Sequence, residues 1–276
     1  MIRLNGNVVK FEQFPNGETK FEHDELRVGT FNKILFKYED DSDLIKLDFL
    51  KSYLDERYGK INTCLYIAYM PYSRMDRSED FSPFTLKYVA KMINAMGFNK
   101  VKIIEPHSDV TPALIDRCEP LYINFFLLNQ VKKEVDFNDD EDYIMFPDAG
   151  AAKRYAKMRP KNVIIGNKVR DFHTGRIKKY SLQSDFVGKG KKVIIVDDLS
   201  SFGGTFVKAE ESLSAAGFDY VHLLVAHAEN SIFKGDLFSS MDRIFTTDSM
   251  LTDHVNWENA KYKPQLRVYD IESIIK

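Results

Sequence analysis

Short apolar segments alternate with helix-like segments along almost the whole chain, and this alternation restricts the fold more than any other feature. The apolar segments, such as KVKIIEP at 100–106 and KKVIIVDD at 191–198, are rich in Val and Ile, and several lack polar alternation. Strands covered on both faces have this pattern. The segments between them begin with Ser, Gly or Thr, and two end at Gly-Phe, which are helix start and stop signals. Strand–helix–strand order predicts an α/β fold with mainly parallel sheets and right-handed crossovers.

The alternation is interrupted once, at residues 132–142, where the chain is charged and has almost no periodicity. We interpret this segment as a surface connection between two α/β halves. The predicted domains are therefore residues 1–137 and 138–276. Each half contains a helix that ends at Gly-Phe and leads into a strand, which is compatible with an internal duplication but is weak evidence for one. We expect two Rossmann-like α/β halves of similar topology, with the site in the cleft between them.

Composition and charge exclude several classes of function. The 276 residues are 44% hydrophobic, enough for one large core or two ordinary ones, and the net charge of −2 gives no basic field for a nucleic acid. No long apolar run starts or interrupts the chain, so we expect no membrane contact. The only cysteines, Cys64 and Cys118, form no disulfide framework or zinc pattern, and we expect both to be packed and inert. The predicted location is the cytoplasm.

Polar residues follow several of the predicted strands, at the edge where open α/β sheets bind ligands. His107 and Asp109 follow one strand, Asp148 follows another, and Asp197 and Asp198 precede a Gly-Gly-Thr turn into a helix. Each taken alone is an ordinary helix cap. Together, carboxylates beside turns whose N–H groups can bind phosphate are what a magnesium nucleotide or magnesium pyrophosphate site needs.

Six motifs occur in one order along the chain: FPNGET, MPYSRMDR, EPHSD, FPDAGAAKR, NKVR and VIIVDDLSSFGGT. In this order they resemble the ribose-phosphate diphosphokinases, also called phosphoribosyl-diphosphate synthetases. The last motif alone would indicate only a phosphoribosyltransferase-like fold. The resemblance implies two phosphoribosyltransferase-like domains, the second carrying a lid and a ribose-phosphate loop. It also implies transfer of a diphosphoryl group from ATP to the anomeric hydroxyl of a ribose, with Mg²⁺ as cofactor.

The same resemblance assigns roles to individual residues. Lys168 and Arg170, in the polar segment NKVRDFHTGRIKKYS, match catalytic cations of a mobile lid. The FPNGE segment reaches adenine from a neighbouring subunit in that family, which implies a homo-oligomer, a dimer or hexamer. The further matches are Phe14, Asn16, Glu18, Arg74, Asp76, Arg77 and His107 for ATP; His107 and Asp148 for the metal; and Asp148, Gly150, Asp197, Asp198, Ser200, Ser201, Phe202, Gly203, Gly204 and Thr205 for ribose and phosphate.

Some positions depart from the family pattern. Phe81 replaces an arginine, Ala151 replaces a glycine, and in the last motif Ser201 replaces an aspartate and Phe202 a threonine. Phe202 offers no conventional hydrogen bond to a terminal phosphate. One hypothesis is that the acceptor is ADP-ribose and that the ring stacks on its adenine, as expected for a phage-type branch of the family that makes ADP-ribose diphosphate in NAD metabolism.

Other interpretations remain open. The alternative to the ADP-ribose hypothesis is that Phe202 turns inward and packs in the protein. In that case the acceptor is ribose 5-phosphate. A phosphoribosyltransferase would share the last loop but has no need of FPNGE or YSRMDR. A non-catalytic regulatory relative would be expected to lose the lid cations, and both are present.

Overall fold

Two mainly parallel sheets organise the chain, one in each of two units, Met1–Tyr122 and Ile123–Lys276. The computed structural model describes residues 1–24, 26–79, 81–170, 177–183 and 188–276, without the side chains of 169, 170 and 177–179. In those ranges, no helix is both long enough and apolar enough to cross a membrane.

The first unit contains a six-stranded sheet with the order β2-β1-β5-β6-β7-β8. Strands β5 to β8 are parallel, and β1 is antiparallel to β5. On α1, Leu47, Leu50 and Leu54 are fully buried at helical spacing, so this face covers the sheet. The elements are β1 Ile2–Leu4, β2 Asn7–Val8, β3 Phe11–Gln13, β4 Thr19–Phe21, β5 Phe31–Phe36, α1 Ser42–Tyr58, β6 Asn62–Ile67, α2 Thr85–Ala95, β7 Lys100–Ile104, α3 Val110–Leu114 and β8 Cys118–Leu121.

The second unit contains a seven-stranded sheet with the order β11-β10-β9-β12-β13-β14-β15. Only the β10–β11 pair is antiparallel among these described strands. The run Val193, Ile194, Ile195 and Val196 in β12 is fully buried, as a central strand covered on both faces requires. The elements are α4 Asn124–Glu134, β9 Tyr143–Phe146, α5 Ala149–Arg154, a 3₁₀ turn at Ala156–Met158, β10 Val163–Arg170, β11 Ile177–Gln183, β12 Lys192–Ser200, α6 Gly204–Ala215, β13 Tyr220–Ala228, a 3₁₀ turn at Asn230–Lys234, α7 Leu237–Ser240, β14 Arg243–Thr247, β15 Leu266–Tyr269 and α8 Ile271–Ile274.

The division between the units lies before α4, whereas the sequence prediction placed it after this helix, between residues 137 and 138. Asn124 Nδ2, at the start of α4, donates to the Asp197 carbonyl oxygen at 2.8 Å. Lys192 Nζ donates to the carbonyl oxygens of Val135 and Asp136, each at 2.7 Å. The charged segment that we interpreted as a connection between halves therefore joins α4 to β9 inside the second unit.

Both cysteines are free. Cys64 is buried and Cys118 is half-buried, and burial raises the pKa of both thiols above the ordinary value, to about 11 for Cys118. A thiol with a raised pKa is rarely in the reactive thiolate form, which agrees with the packing role expected from the sequence.

Candidate active site

Three adjacent strands of the second unit bring charged residues to one edge of its sheet. Asp148 directly follows the end of β9, Lys168 lies near the end of β10, and Asp197 and Asp198 lie near the end of β12. Because β10 and β12 each pair with β9 in parallel, the carboxyl ends of all three strands meet at this edge. The second-unit residues predicted from the strand ends are therefore neighbours.

Asp148 is the N-cap of α5 and is also the partner of Lys168. Its Oδ1 accepts from the Ala151 backbone N–H at 2.9 Å, and Lys168 Nζ donates to Oδ2 at 2.5 Å. Burial alone would raise the pKa of Asp148, but the hydrogen bonds from Lys168 and the α5 backbone and the Lys168 charge together lower it. Asp148 is thus an ionised, partly accessible carboxylate, next to Gly150 in the first turn of α5.

The two aspartates of β12 share one arginine. Arg154 Nη1, from the last residue of α5, donates to Asp198 Oδ1 at 2.5 Å and to Asp197 Oδ1 at 3.3 Å. Burial and then the neighbouring Asp198 charge raise the pKa of Asp197, and Arg154 only partly offsets this. Arg154 was not among the predicted site residues, although it is the last letter of the FPDAGAAKR motif.

Another side chain that the sequence reasoning missed fixes the ends of β9 and β10. Tyr180 Oη donates to the Pro147 carbonyl oxygen at 3.1 Å. A Cβ added at Gly166 would lie 2.1 Å from that hydroxyl oxygen, so only glycine leaves room for the ring. Burial raises the pKa of Tyr180, and the hydroxyl therefore stays protonated as a donor. Tyr180 pairs with Lys168 across the β10–β11 ladder, next to the site.

The loop between β12 and α6 leaves Phe202 exposed. Its side chain is 59% exposed, while Ser200 is buried and Gly203 has φ +81°. Added Cβ atoms at Gly203 and Gly235 would lie 2.8 Å from Leu237 Cδ1 and 2.6 Å from the Phe202 carbonyl oxygen, so the loop backbone lies close against residues 235–237. The alternative in which Phe202 packs inward is wrong. Gly204 and Thr205 begin α6, with Ser201 half-buried before them.

In the first unit, the predicted ATP segments around Asp76 and His107 lie side by side. Ser108 Oγ donates to Asp76 Oδ2 at 2.6 Å, beyond the carboxyl ends of the parallel strands β6 and β7. Arg74 is exposed, and Arg77 Nε pairs with Glu79 Oε1 at 2.5 Å in an exposed ion pair. His107 is half-buried, one residue before Ser108.

The FPNGE segment forms the tight turn of the β3–β4 hairpin. The Phe14 N–H donates to the Glu18 carbonyl oxygen at 2.8 Å, and Asn16 Oδ1 accepts from the Glu18 N–H at 3.2 Å. Gly17 has φ +92°, which favours glycine there. Phe14 is 48% exposed. An exposed ring on a hydrogen-bonded turn is suited to stacking, and its predicted contact with adenine stays a prediction.

The metal prediction paired His107 and Asp148, which lie in different units. Within the described part of the chain, no group of three or more His, Cys, Asp or Glu side chains is placed to hold a metal ion. Magnesium bound to a nucleotide needs only one or two carboxylates, since phosphate and water oxygens supply its other ligands. The ionised Asp148 fits that need. The Arg170 side chain and residues 171–176 of the predicted lid segment lie outside the described residues.

Comparison with known structures supports the fold. The phosphoribosylpyrophosphate synthetase from Mycobacterium smegmatis superposes with a TM-score of 0.77 over 97% of this chain and 87% of its own, at 19% identity. The chain is therefore an α/β protein with phosphoribosyltransferase-like folds and mostly parallel sheets. No protein-family model matches it.

Sequence comparison adds the relatives. The chain is 25% identical over 218 residues to "Ribose-phosphate pyrophosphokinase" of Fusobacterium nucleatum and 26% over 226 residues to "Ribose-phosphate pyrophosphokinase B" of Dictyostelium discoideum. These matches cover about three quarters of this chain but only 65% and 66% of the relatives' own lengths. The homologue from Sulfurisphaera tokodaii is 25% identical over 89% of this chain and 85% of its own. The chain is thus similar in sequence to proteins named ribose-phosphate pyrophosphokinase.

Proposed function

We propose that the chain is an ATP-dependent diphosphotransferase that acts on the anomeric hydroxyl of a 5-phosphorylated ribose. The observation that carries this proposal is the grouping of Lys168, Asp148 and the Asp197–Asp198 pair at one sheet edge, beside the loop into α6. The names of the relatives supply the reaction class. In the reaction, the sugar hydroxyl oxygen bonds to the β-phosphorus of ATP, the bond from that phosphorus to the AMP oxygen breaks, and the hydroxyl proton is released to solvent.

Each charged group has a task in this reaction. The Lys168 ammonium exchanges its Asp148 partner for the transferring phosphoryl oxygens, where negative charge develops. The Asp197–Asp198 pair accepts hydrogen bonds from the ribose hydroxyls, and backbone N–H groups at the start of α6 bind the 5-phosphate. Asp148 would hold the magnesium, which supplies neutralising charge to the triphosphate when bound. His107, Arg74, Asp76, Arg77 and the Phe14–Asn16–Glu18 turn are proposed ATP contacts, and Arg170 is the second lid cation.

For the acceptor, the proposal favours ADP-ribose, giving ADP-ribose 1-diphosphate and AMP. The exposed Phe202 ring supports this choice, because stacking on adenine would cover apolar surface that the fold leaves in water. ADP-ribose carries an adenine beyond its 5-phosphate, whereas ribose 5-phosphate offers nothing for the ring to cover. Ribose 5-phosphate remains the second candidate, because the curated relatives are named for ribose phosphate.

The acceptor is tested by supplying MgATP with ADP-ribose or ribose 5-phosphate and following AMP release. We expect turnover with ADP-ribose, and we expect Phe202→Thr to lower kcat/KM for ADP-ribose about tenfold, since aromatic stacking on a base contributes roughly 1–3 kcal/mol. Phe126→Thr, which changes an exposed ring on α4 that no part of the proposal uses, serves as a control for the acceptor KM. Efficient turnover of ribose 5-phosphate alone would remove the ADP-ribose hypothesis while keeping the reaction class.

Self-association belongs to the same proposal. If the Phe14 turn contributes to a neighbouring copy's ATP site, the active form is a homo-oligomer, a dimer or hexamer. Light scattering during size-exclusion chromatography measures this state directly. A fully active monomer would show that the turn does not act between copies.

Nucleobase-dependent release of pyrophosphate would instead support a phosphoribosyltransferase.

A further inference from the structure

We propose that Arg154 is a positioning residue that holds the Asp197–Asp198 pair in the geometry required to bind the two ribose hydroxyls. This inference rests on the proposed function and adds a residue that the sequence motifs did not assign to the site. Arg154 lies at the end of α5, and the two aspartates lie near the end of β12, so the contact joins two elements of the second unit.

The contacts of Arg154 set the position of both carboxylates. One nitrogen, Nη1, lies 2.5 Å from Asp198 Oδ1 and 3.3 Å from Asp197 Oδ1. Asp197 Oδ1 also accepts from the Asp198 backbone N–H at 2.9 Å. The side chains of Arg154, Asp197 and Asp198 are only 14%, 16% and 5% exposed. Little water reaches these groups, so the arginine restricts the carboxylates more strongly than a surface pair would.

The arginine is itself held by its surroundings. The Arg154 guanidinium carbon lies 5.7 Å from the centroid of the Tyr155 ring, and Tyr155 is fully buried. Asn124 Nδ2 donates to Tyr155 Oη and to the Asp197 carbonyl oxygen, each at 2.8 Å. Asn124 therefore connects the support of Arg154 to the backbone of the strand that carries the aspartates.

The charge of Arg154 has a second consequence for ligand binding. Two adjacent carboxylates that bind the ribose hydroxyls would also repel the phosphate of the same sugar. One guanidinium shared between them cancels part of that charge and leaves carboxylate oxygens to accept hydrogen bonds from neutral hydroxyls. Arg154 thus affects the sugar site more than the ATP site, and this difference separates positioning from a merely structural role.

The experiment compares Arg154→Lys and Arg154→Ala with Lys157→Ala, which removes an exposed positive charge three residues further along the chain. Lysine keeps the positive charge but lacks the planar guanidinium group with its several hydrogen-bond donors. We expect the sugar KM to rise about tenfold in Arg154→Lys, and sugar kcat/KM to fall about a hundredfold in Arg154→Ala, with ATP KM within about twofold of wild type. Lys157→Ala is expected to match wild type. Thermal unfolding of every variant is measured alongside.

The outcomes separate the two proposals. An active wild type with an unchanged sugar KM in Arg154→Lys and Arg154→Ala overturns the positioning role alone. The positioning role is also overturned if kcat/KM falls equally for ATP and for the sugar and this fall follows the decrease in Tm. If Arg154→Ala does not fold, the Arg154→Lys comparison decides. A wild type that neither releases AMP nor binds ADP-ribose or ribose 5-phosphate in calorimetry overturns both proposals. If the wild type binds the sugar but does not turn it over, only the proposed reaction is overturned. The sugar dissociation constants of the variants then test the positioning role of Arg154.

Discussion

Lys168 pairs with Asp148 at the edge of the second unit's sheet, so the lysine that we propose for the transfer step lies beside the carboxylate that we propose for magnesium. The 2.5 Å contact holds the ammonium at the sheet edge before any phosphate arrives. While the pair is closed, the Lys168 ammonium partly neutralises Asp148 and so weakens the repulsion between this carboxylate and an approaching triphosphate.

At this residue we predict that Lys168→Ala abolishes transfer while leaving nucleotide binding largely intact. If Lys168 acts on charge that develops only in the transition state, kcat should fall at least about a thousandfold, with the ATP dissociation constant within a few-fold. Single-turnover AMP release and calorimetry measure the two quantities. Lys208→Ala removes an exposed lysine paired with Glu211 and is the control. A variant that keeps its kcat would contradict the assigned role.

Gly166 gives a second prediction at the residue scale. A Cβ there would meet Tyr180 Oη at 2.1 Å and the Pro147 carbonyl oxygen at 2.6 Å. We expect Gly166→Ala to lower the free energy of unfolding by about 1–3 kcal/mol, because overpacking forces neighbouring atoms to move. Gly204→Ala is the matched control, since a Cβ there meets nothing within 4 Å. Chemical denaturation compares both with wild type, and equal stability of the two variants would show that the strands adjust freely.

Strand β13 carries a buried histidine, which makes the stability of this element depend on pH. His222 is 5% exposed, and burial lowers its pKa from 6.5 to about 4, against a smaller opposing effect of Asp242. Between these values the unfolded chain binds the proton and the folded chain does not. The contribution of His222 is therefore lost as pH falls from 6.5 towards 4.

We expect this loss to reach about 3 kcal/mol over that pH window and to shrink in His222→Gln. The measurement is the free energy of unfolding by urea at several pH values from 7 to about 4.5, a range that the linkage argument sets. His254→Gln, at an exposed histidine, is the control and should keep the wild-type slope. An unchanged slope in His222→Gln would mean that the buried imidazole does not cause the dependence.

Elements with strong local patterns could be predicted from the sequence, and those held by tertiary contacts could not. The apolar run of β12 indicated a central strand and put Asp197 and Asp198 at its end. Helix α5 has only six residues, too few for a periodic pattern, so no sequence pattern predicted the contact between Arg154 and those aspartates. The loop backbone at Phe202 lies close against Gly235, which is distant in sequence, and no local pattern reveals this contact.

For the whole molecule, the alternating pattern was enough to predict the α/β class but not the limit between the units. The charged segment near the end of α4 suggested a connection between the two units. Instead, hydrogen bonds of Asn124 and Lys192 join α4 to β12 of the second unit. Each unit has its own buried core, which includes Leu65 in the first and Leu223 in the second.

We predict that Leu65→Ala and Leu223→Ala each lower stability by about 2–5 kcal/mol in the unit that carries the change. Peptide-resolved hydrogen exchange locates the effect, because local opening reports the free energy of each cooperative region. Protection should fall most in β5 to β7 for Leu65→Ala and in β12 to β14 for Leu223→Ala. The exposed Met92→Ala is the control. A loss of equal size in both sheets from either change would show a single cooperative unit.

The exposed Phe202 also has a consequence for protein engineering. Because most of the ring lies in water, replacing it removes little buried surface, and a library at position 202 should sample new acceptors at little cost in yield. Positions 203 and 235 are unsuitable for such a library. Gly203 has a left-handed backbone conformation, and a Cβ at Gly235 would collide with the Phe202 carbonyl oxygen. The residue that we propose for acceptor choice and the glycines that the loop backbone requires are thus different positions, which makes position 202 the practical place to vary this loop.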